Sequence, residues 1–284
     1  MRVLLAGRDG QIGRSLAPRL GGWADVVALG RADLDLRDTD AIFRAVREVR
    51  PDVIVNAAAY TAVDRAEAEE AAAREVNALA PARLADEARR AGALLVHFST
   101  DYVFDGSKAA PYLESDVPAP LNAYGRTKLE GEQAVAASGA RHVIFRTSWV
   151  YGPGGRNFVS AILGAARAGR ELRVVADQRG APTSSEALAA AVDRILKDRS
   201  LRERAHGLVH LSAAGETTWH GFACAILEAA GLGRPVVAIS AAEYGAPARR
   251  PANSLLDNGR FATLFGERLA DWRRQLAAIL PSIL

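Results

Sequence analysis

Cysteine is nearly absent from the sequence. Cys224 is the only one among 284 residues, so no disulfide can form within the chain. Long apolar runs are missing as well: only VLLAG stands before Arg8, which is shorter than the apolar part of a signal peptide, and no later run approaches the length of a membrane span. A chain without disulfides is typical of a reducing compartment. We therefore expect a cytoplasmic protein with no membrane partner.

No block of charge of one sign is present either. The chain has 36 Lys and Arg against 33 Asp and Glu, a net charge of +3, and its adjacent arginine pairs are too short to form a basic stripe. Nucleic-acid binding normally needs such a stripe, so no nucleic-acid partner is expected. His220 and Cys224 have ligand spacing, but no second Cys/His pair completes a metal site, so no metal is expected.

Short β-branched runs alternate with Ala-rich segments of helical period. RVLLAG precedes GQIGRSLAPRL, and DVIVNAAAY precedes a long helical stretch. This alternation predicts an α/β fold with a doubly wound parallel sheet, a Rossmann domain, over residues 1–150. Prolines and glycines beyond that point indicate a smaller α/β substrate domain over residues 151–284, with some segments returning to the main sheet.

Two caps are predicted for the helices of this pattern. Asn77 is expected to begin the helix that Gly92 ends. Thr183 and Glu186 have the spacing of a capping box ahead of ALAAAVDRIL.

A glycine-rich loop follows the first predicted strand. In GRDGQIG, Gly7, Gly10 and Gly13 are spaced at three and lead into a helix. Glycines here allow a tight turn and let bare backbone approach a pyrophosphate, which then lies at the positive end of the helix. We expect these three glycines, with Gln11 and Ile12 between them, to bind a dinucleotide.

The end of the second strand bears on the choice of cofactor. A carboxylate there would hold the ribose hydroxyls of NAD, but DVVALG ends at Gly30 and Arg31. A guanidinium binds a 2′-phosphate well, so NADPH is favoured. NADH stays open, because Asp33 or Asp35 could still supply a ribose contact; Asp35 and its neighbour Leu36 are counted among the expected cofactor contacts.

The third strand ends in small residues. Asn56 is followed by Ala57, Ala58 and Ala59 before Tyr60. Side chains this small let a cofactor lie close to the backbone, so Ala58, Ala59 and Tyr60 are expected at the cofactor site.

A fourth strand, in ALLVHFSTDYVFDG, breaks off into hydroxyls and a carboxylate at Thr100 and Asp101. In a parallel sheet that end opens into the ligand crevice. Tyr124 and Lys128 lie four apart on one face of a predicted helix. An ammonium beside the tyrosine favours its ionised form and adapts it to acid–base work. With Thr100 placed to bond a substrate carbonyl, these residues predict a hydride-transfer site.

The sequence resembles extended short-chain dehydrogenases/reductases and, more narrowly, the dTDP-4-dehydrorhamnose reductase family. The resemblance covers nearly the whole chain, through GRDGQIG, NAAAYTAVDRAE, STDYVFDG, YGRTKLEGE, RTSWVYG, NFV, DQRGAPTS and RPANSLLD. It implies reduction of the 4-keto group of dTDP-4-dehydro-β-L-rhamnose to dTDP-L-rhamnose, with hydride from NADPH. Tyr124 would then be the acid, Lys128 would tune it and bind the nicotinamide ribose, and Thr100 would orient the carbonyl.

The same resemblance implies contacts to the nucleotide-sugar substrate. The residues that match the corresponding family segments are Thr100, Asp101, Tyr124, Trp149, Asn157, Arg250 and Ser254.

Two other functions stay open on this resemblance. One is an NADP-binding regulatory subunit of the methionine adenosyltransferase type, and the other is a reductase of another nucleotide-linked 4-ketosugar. Some family members carry an acidic residue shortly after the third glycine that is associated with a metal-bridged dimer, whereas this chain has Arg14 and Ser15 there. A homodimer and a need for magnesium are therefore left open.

Overall fold

A six-stranded parallel sheet lies at the centre of the protein in a computed structural model that describes residues 1–284. The strands in chain order are β1 (Arg2–Ala6), β2 (Asp25–Leu29), β3 (Val53–Asn56), β4 (Leu94–Thr100), β5 (His142–Thr147), β6 (Val150–Tyr151), β7 (Leu172–Val175), β8 (Arg179–Gly180), β9 (Thr183–Ser184), β10 (Gly207–His210), β11 (Thr217–Thr218) and β12 (Val236–Ile239). The central sheet has the order β10-β5-β4-β3-β1-β2.

Thirteen α-helices accompany these strands. They are α1 (Gln11–Gly21), α2 (Thr39–Val49), α3 (Val63–Ala66), α4 (Glu70–Arg74), α5 (Ala80–Ala91), α6 (Ala123–Ala137), α7 (Phe158–Arg167), α8 (Ser185–Lys197), α9 (Arg199–Arg204), α10 (Trp219–Ala229), α11 (Ala241–Tyr244), α12 (Gly259–Phe265) and α13 (Trp272–Ile279). Glu75–Leu79 forms a π-helical segment, and Asp101–Val103 and Leu280–Ser282 form 3₁₀ turns. No helix is both long and apolar enough to span a bilayer.

The central sheet is covered on both faces. Along β1, Val3 and Leu5 pack into a core with α1 and α8, whereas Leu4 and Ala6 pack into a second core with α2 and α5. This burial explains why the strand is apolar throughout rather than alternating. The predicted α/β fold with a doubly wound parallel sheet is confirmed.

The strand order reverses between β1 and β3. The chain passes from β1 to β2 on one side and then returns to β3 on the other, and all neighbouring strands are parallel. In open α/β sheets the ligand crevice lies at the carboxyl ends of the strands at such a reversal. The segments that begin at Gly7 and Ala57 meet there.

The second half of the chain has its own core and also completes the first one. Helices α7, α10 and α13 enclose a separate apolar cluster, which includes Leu163, Phe222 and Trp272. Three two-stranded ladders, β6-β9, β7-β12 and β8-β11, surround it. Helices α8 and α12 pack into the first core instead, and β10 forms an edge of the central sheet. The division into domains at residue 150 stays a prediction.

Both predicted N-caps are wrong, whereas Gly92 ends α5 as predicted, in the left-handed conformation with a φ of 68°. Asn77 does not begin a helix, because the helical path runs on from α4 through the π-helical segment into α5. Its buried side chain instead accepts a hydrogen bond from the backbone N–H of Tyr60 and donates to the carbonyl of that residue. Helix α8 is capped by Ser184, which accepts from the N–H of Ala187.

Candidate active site

A cleft of about 1040 Å³ lies at the carboxyl ends of the strands. Its volume is at the upper end of the range for sites that enclose a small ligand, which suits a dinucleotide beside a second substrate. Fifteen of the residues predicted to act at the site line this cleft: Gly7, Gly10, Gln11, Ile12, Arg31, Asp35, Leu36, Ala58, Ala59, Tyr60, Thr100, Asp101, Tyr124, Lys128 and Trp149. Four predicted residues do not line it: Gly13, Asn157, Arg250 and Ser254.

The glycine loop is packed too tightly for side chains. Gly7 has a φ of 91°, and a Cβ on it would lie 2.6 Å from the backbone nitrogen of Ala58. A Cβ on Gly13 would lie 2.0 Å from the carbonyl oxygen of Gly7, which explains why this glycine is needed although it lies outside the cleft. Gly10 caps α1 without a side chain, so the positive end of that helix is left free to meet an anion.

The charges at the end of β2 favour a phosphate over bare ribose hydroxyls. Asp33 pairs with Arg8 at 2.9 Å and Asp35 pairs with Arg37 at 2.6 Å, whereas Arg31 pairs with neither carboxylate. Hydrogen bonds from Arg37 lower the pKa of Asp35 to about 2. Each of these carboxylates already has an arginine partner, although Arg8 is shared with Asp9 at 3.3 Å, and the guanidinium of Arg31 stays available at the cleft wall.

Helix α6 carries the tyrosine and lysine into the cleft. Its first turn is fixed by Asn122, whose side chain accepts from the N–H of Gly125 at 2.8 Å, so Tyr124 lies next to the end of β4. Burial raises the pKa of Tyr124 to about 12, the nearby hydroxyl of Thr100 opposes that rise, and the charge of Asp101 adds to it. The phenol is therefore a stable proton carrier in this environment.

Lys128 is buried one turn further along α6. Its Nζ donates to the carbonyl oxygen of Phe98 at 2.6 Å. Burial lowers the pKa of Lys128 to about 8, although the carboxylate of Glu132 acts in the opposite direction. The amine thus changes charge close to neutral pH, which suits a group that tunes a neighbouring acid.

A buried carboxyl completes the group. Asp101 Oδ1 accepts from the Thr100 hydroxyl at 3.0 Å, and Asp101 Oδ2 has no hydrogen-bond partner. Burial raises the pKa of Asp101 to about 7, while Ser254 and Thr100 oppose that rise. Ser254 therefore reaches the site indirectly, through this carboxyl.

Four buried polar atoms at the cleft lack hydrogen-bond partners. They are Gln11 Oε1, Ser99 Oγ, Asp101 Oδ2 and Thr147 Oγ1. Buried polar atoms in folded proteins are nearly always paired, so a cluster of free ones indicates groups that a ligand satisfies. Together with the bare glycine loop, these residues would fit a dinucleotide cofactor.

Two residues expected at the substrate are engaged by the protein itself. Asn157 caps α7, because it accepts from Ser160 N–H at 3.1 Å and donates to the Gly152 carbonyl at 2.8 Å. Arg250 pairs with Asp64 at 2.9 Å and its side chain is only 19% exposed. The substrate contacts expected for Asn157 and Arg250 stay predictions, and neither side chain reaches the cleft wall.

Trp149 is held in an uncommon backbone conformation. Its φ is 49°, and its indole stacks on that of Trp219 with 3.6 Å between ring centres. Bulky residues rarely adopt positive φ, and those that do are often found at functional sites. Trp149 and Trp219 together form an aromatic part of the cleft wall.

Thr147 and Trp219 line the cleft although the sequence did not predict them there, and Ser99, in the polar end of the fourth strand, was not among the predicted site residues. Thr147 lies beside Thr100 in the register of β4 and β5, and both end apolar strands. The polar step from VIFR to TS was therefore a usable signal, whereas nothing in the sequence marked Trp219.

No cluster of three His, Cys, Asp or Glu is placed to hold a metal ion, and the side chain of Cys224 is exposed.

The whole chain matches known proteins. The family described as RmlD substrate binding domain matches residues 1–284. The dTDP-4-dehydrorhamnose reductase of Burkholderia thailandensis is 44% identical over 297 residues, which cover 100% of this chain and 99% of that protein. The chain belongs to the dTDP-4-dehydrorhamnose reductase family. The family predicted from the sequence motifs is thereby confirmed.

Two further proteins are similar to this chain. The Bacillus anthracis dTDP-4-dehydrorhamnose reductase, solved in complex with NADP, superposes with a TM-score of 0.94 at 33% identity and covers 99% of this chain and 98% of its own. A Streptomyces antibioticus protein named "Probable dTDP-4,6-dihydroxy-2-methyloxan-3-one 4-ketoreductase" is 43% identical over 290 residues, which are 100% of this chain and 96% of that protein.

Proposed function

We propose that this protein reduces the 4-keto group of dTDP-4-dehydro-β-L-rhamnose to dTDP-L-rhamnose, using NADPH. The observation that carries the proposal is the meeting of Thr100, Tyr124 and Lys128 in the same cleft as the glycine loop. Family membership supplies the substrate class, because relatives that match the whole chain are named for this reaction. The enzyme is therefore an oxidoreductase that acts on a nucleotide-linked ketosugar.

The residues divide the work between binding and proton transfer. Bound NADPH supplies a hydride to the carbonyl carbon. Tyr124 gives its proton to the carbonyl oxygen, and the Thr100 hydroxyl turns from Asp101 Oδ1 to donate a hydrogen bond to the same oxygen. The ammonium form of Lys128 stabilises the phenolate that is left after the transfer. Burial keeps water away from these groups, so their mutual electrostatic effects are strong.

The cofactor contacts follow from the cleft wall. The backbone around Gly7 and Gly10 and the start of α1 hold the pyrophosphate. Arg31 would bind the 2′-phosphate, because the nearby carboxylates of Asp33 and Asp35 are paired with other arginines and leave its guanidinium without an ion pair. NADH then binds more weakly than NADPH.

We assign the nucleotide-sugar mainly to the second half of the chain, residues 151–284. Trp219 reaches the cleft from that half, where it stacks on Trp149, and Ser254 lies beside the Asp101 carboxyl.

The single cysteine agrees with a cytoplasmic location. Ser15 is buried against Ser185, with 2.8 Å between their hydroxyls, so this position supplies no ligand for a metal-bridged dimer. Light scattering with and without magnesium measures whether two copies associate.

A second candidate is reduction of another nucleotide-linked 4-ketosugar. The Streptomyces antibioticus relative favours it, because its printed name gives a different ketosugar at nearly the same identity. The residues that transfer the proton are common to both reactions. Only the fit of the sugar in the cleft distinguishes them.

NADPH oxidation, followed at 340 nm across a panel of nucleotide 4-ketosugars, tests the proposal. The highest kcat/KM is expected for dTDP-4-dehydro-β-L-rhamnose. A higher value for another ketosugar supports the second candidate. Tight NADPH binding without turnover of any ketosugar contradicts both, and in that case association with a methionine adenosyltransferase is measured by size-exclusion chromatography.

A further inference from the structure

A buried histidine that the proposed chemistry does not use lies beside the catalytic lysine. His97 is in β4, three residues before Thr100, and is fully buried. Its Nδ1 is 3.1 Å from Asn56 Nδ2, and its Nε2 is 3.4 Å from Lys128 Nζ. A polar ring at the centre of a sheet costs free energy unless its nitrogens are paired.

Asn56 determines which ring nitrogen carries the proton. Asn56 Oδ1 accepts from the N–H of Ala58 at 3.2 Å, so its Nδ2 is the atom that faces His97. An amide NH₂ only donates, and His97 Nδ1 therefore accepts. Burial, and after it the charge of Lys128, lower the pKa of His97 well below its ordinary value. The ring stays neutral, with its proton on Nε2.

The proton on Nε2 points toward the lysine amine. An N–H cannot accept a hydrogen bond from an ammonium group, so Lys128 Nζ is left with the carbonyl of Phe98, at 2.6 Å, as its acceptor within the protein. This geometry holds Nζ on one side of the His97 ring, and the other protons of Nζ are free to face the cleft. It also favours the neutral form of Lys128, because only a neutral amine can accept a hydrogen bond from the Nε2–H of His97.

Other charged groups around Lys128 are paired or neutral. On α6 itself, Tyr124 lies one turn before the lysine and Glu132 one turn after it. Glu132 is neutralised by Arg146 of β5, at 2.6 Å. Asp101 follows β4 and hydrogen-bonds Thr100. His97 is the group from β4 whose side chain contacts the amine directly.

We propose that His97 is a positioning residue that, together with Asn56, fixes the place and the charge of Lys128. The inference rests on the proposed function, because it assigns Lys128 to catalysis. The chain of contacts runs from the Ala58 N–H through Asn56 and His97 to Lys128, so it links the loop that holds the cofactor to the amine that tunes the acid.

Nitrogen NMR tests the geometry without any turnover. The chain has only five histidines, so the side-chain ¹⁵N signals of His97 can be assigned by comparison with His97→Gln. The wild-type protein should show a protonated Nε2 and an unprotonated Nδ1 from pH 6 to 9. A protonated Nδ1, or a ring that becomes charged in this range, overturns the proposal. Failure of the proposed function would leave this result unaffected.

Kinetics test the consequence for the lysine. In His97→Gln an amide oxygen can accept from the ammonium group, so the alkaline fall of kcat/KM should move up by roughly half a pH unit or more. His97→Leu offers no polar partner and should lower kcat about tenfold while KM for the nucleotide-sugar stays nearly constant. Unchanged kcat and an unchanged alkaline limb in the folded variants overturn the proposal.

His210→Gln is the matched control. His210 is also fully buried in the central sheet, in β10, and its Nδ1 faces the carbonyl of Tyr112. It contacts neither Lys128 nor the cofactor loop. The control should lose stability, measured by thermal melting, without moving the alkaline limb. If His97→Leu does not fold, His97→Gln and the NMR measurement decide.

Discussion

Replacing Asp101 with asparagine should stabilise the protein, and more so as the pH rises. The carboxyl is buried, and its Oδ2 has no hydrogen-bond partner. Burial raises its pKa from 3.8 to about 7. Asparagine has nearly the same shape, keeps an oxygen that can accept from Thr100, and never ionises. The variant therefore reproduces the neutral form of Asp101 at every pH.

The size of the effect follows from that change in pKa. Each pKa unit corresponds to about 1.4 kcal/mol, so a rise of about three units costs the folded state about 4 kcal/mol once the carboxyl is ionised. Ionisation of a carboxyl whose pKa is raised on folding lowers the stability of the folded protein. This loss of stability is absent well below pH 3.8, grows between pH 3.8 and about 7, and stays constant at higher pH. The stability gap between Asp101→Asn and the wild type should be about 4 kcal/mol at pH 8.5 and about 2 kcal/mol at pH 5.

Urea unfolding of both proteins without cofactor, at pH 5 and pH 8.5, measures this gap. Asp105→Asn is the control: the Ser107 backbone N–H and the Tyr112 hydroxyl lower the pKa of that carboxyl, so it is ionised at both pH values and its gap should not change between them. An Asp101→Asn gap that is equal at the two pH values would refute a raised pKa for Asp101.

The remaining predictions concern the proton donor and the cofactor loop. Tyr124→Phe should lower kcat by about 10² to 10⁴-fold with NADPH affinity retained, and near-normal turnover would exclude tyrosine as the acid. Arg31→Ala should raise the dissociation constant of NADPH more than that of NADH, because only NADPH has the 2′-phosphate; equal losses would contradict this assignment. Gly13→Ala places a methyl group 2.0 Å from the Gly7 oxygen, so the melting temperature and the NADPH affinity should fall together. Normal NADPH binding by that variant would show that the loop does not hold the phosphates.

Much of the cleft could be predicted because its parts are local in sequence. Tyr124 and Lys128 share a helix face by spacing alone, and the glycine loop is recognised by its position after a strand. Thr100 needed one further rule, that parallel strands end at the same edge of a sheet. These inferences depend on short segments and general geometry, so they do not require knowledge of distant contacts.

Other parts depend on partners that are far away in sequence. Asn77 has the composition of a helix cap, but it is used inside a π-helical segment to hold the backbone of Tyr60, 17 residues earlier. In the sequence, His97 is one polar residue within an otherwise apolar strand. Its contacts with Asn56 and Lys128 are visible only in the folded structure, where they lie on either side of the ring. Side chains of this kind acquire their role only when the tertiary fold supplies the neighbour.

Arg250 is a predicted substrate contact whose neighbours come from distant parts of the chain. As a sequence, RRPANS offers a free cation for the pyrophosphate of a nucleotide-sugar, but the fold pairs the guanidinium with Asp64 and places it beside the hydroxyl of Tyr102. The ring of Tyr102 packs edge-on against Tyr124, with 5.8 Å between their centres. Arg250 thus lies behind the wall that carries Tyr124. A paired arginine contributes less to an incoming anion than a free one, so a contact of Arg250 with a pyrophosphate would have to compete with Asp64, and it stays a prediction; Arg156, which lines the cleft, forms no ion pair.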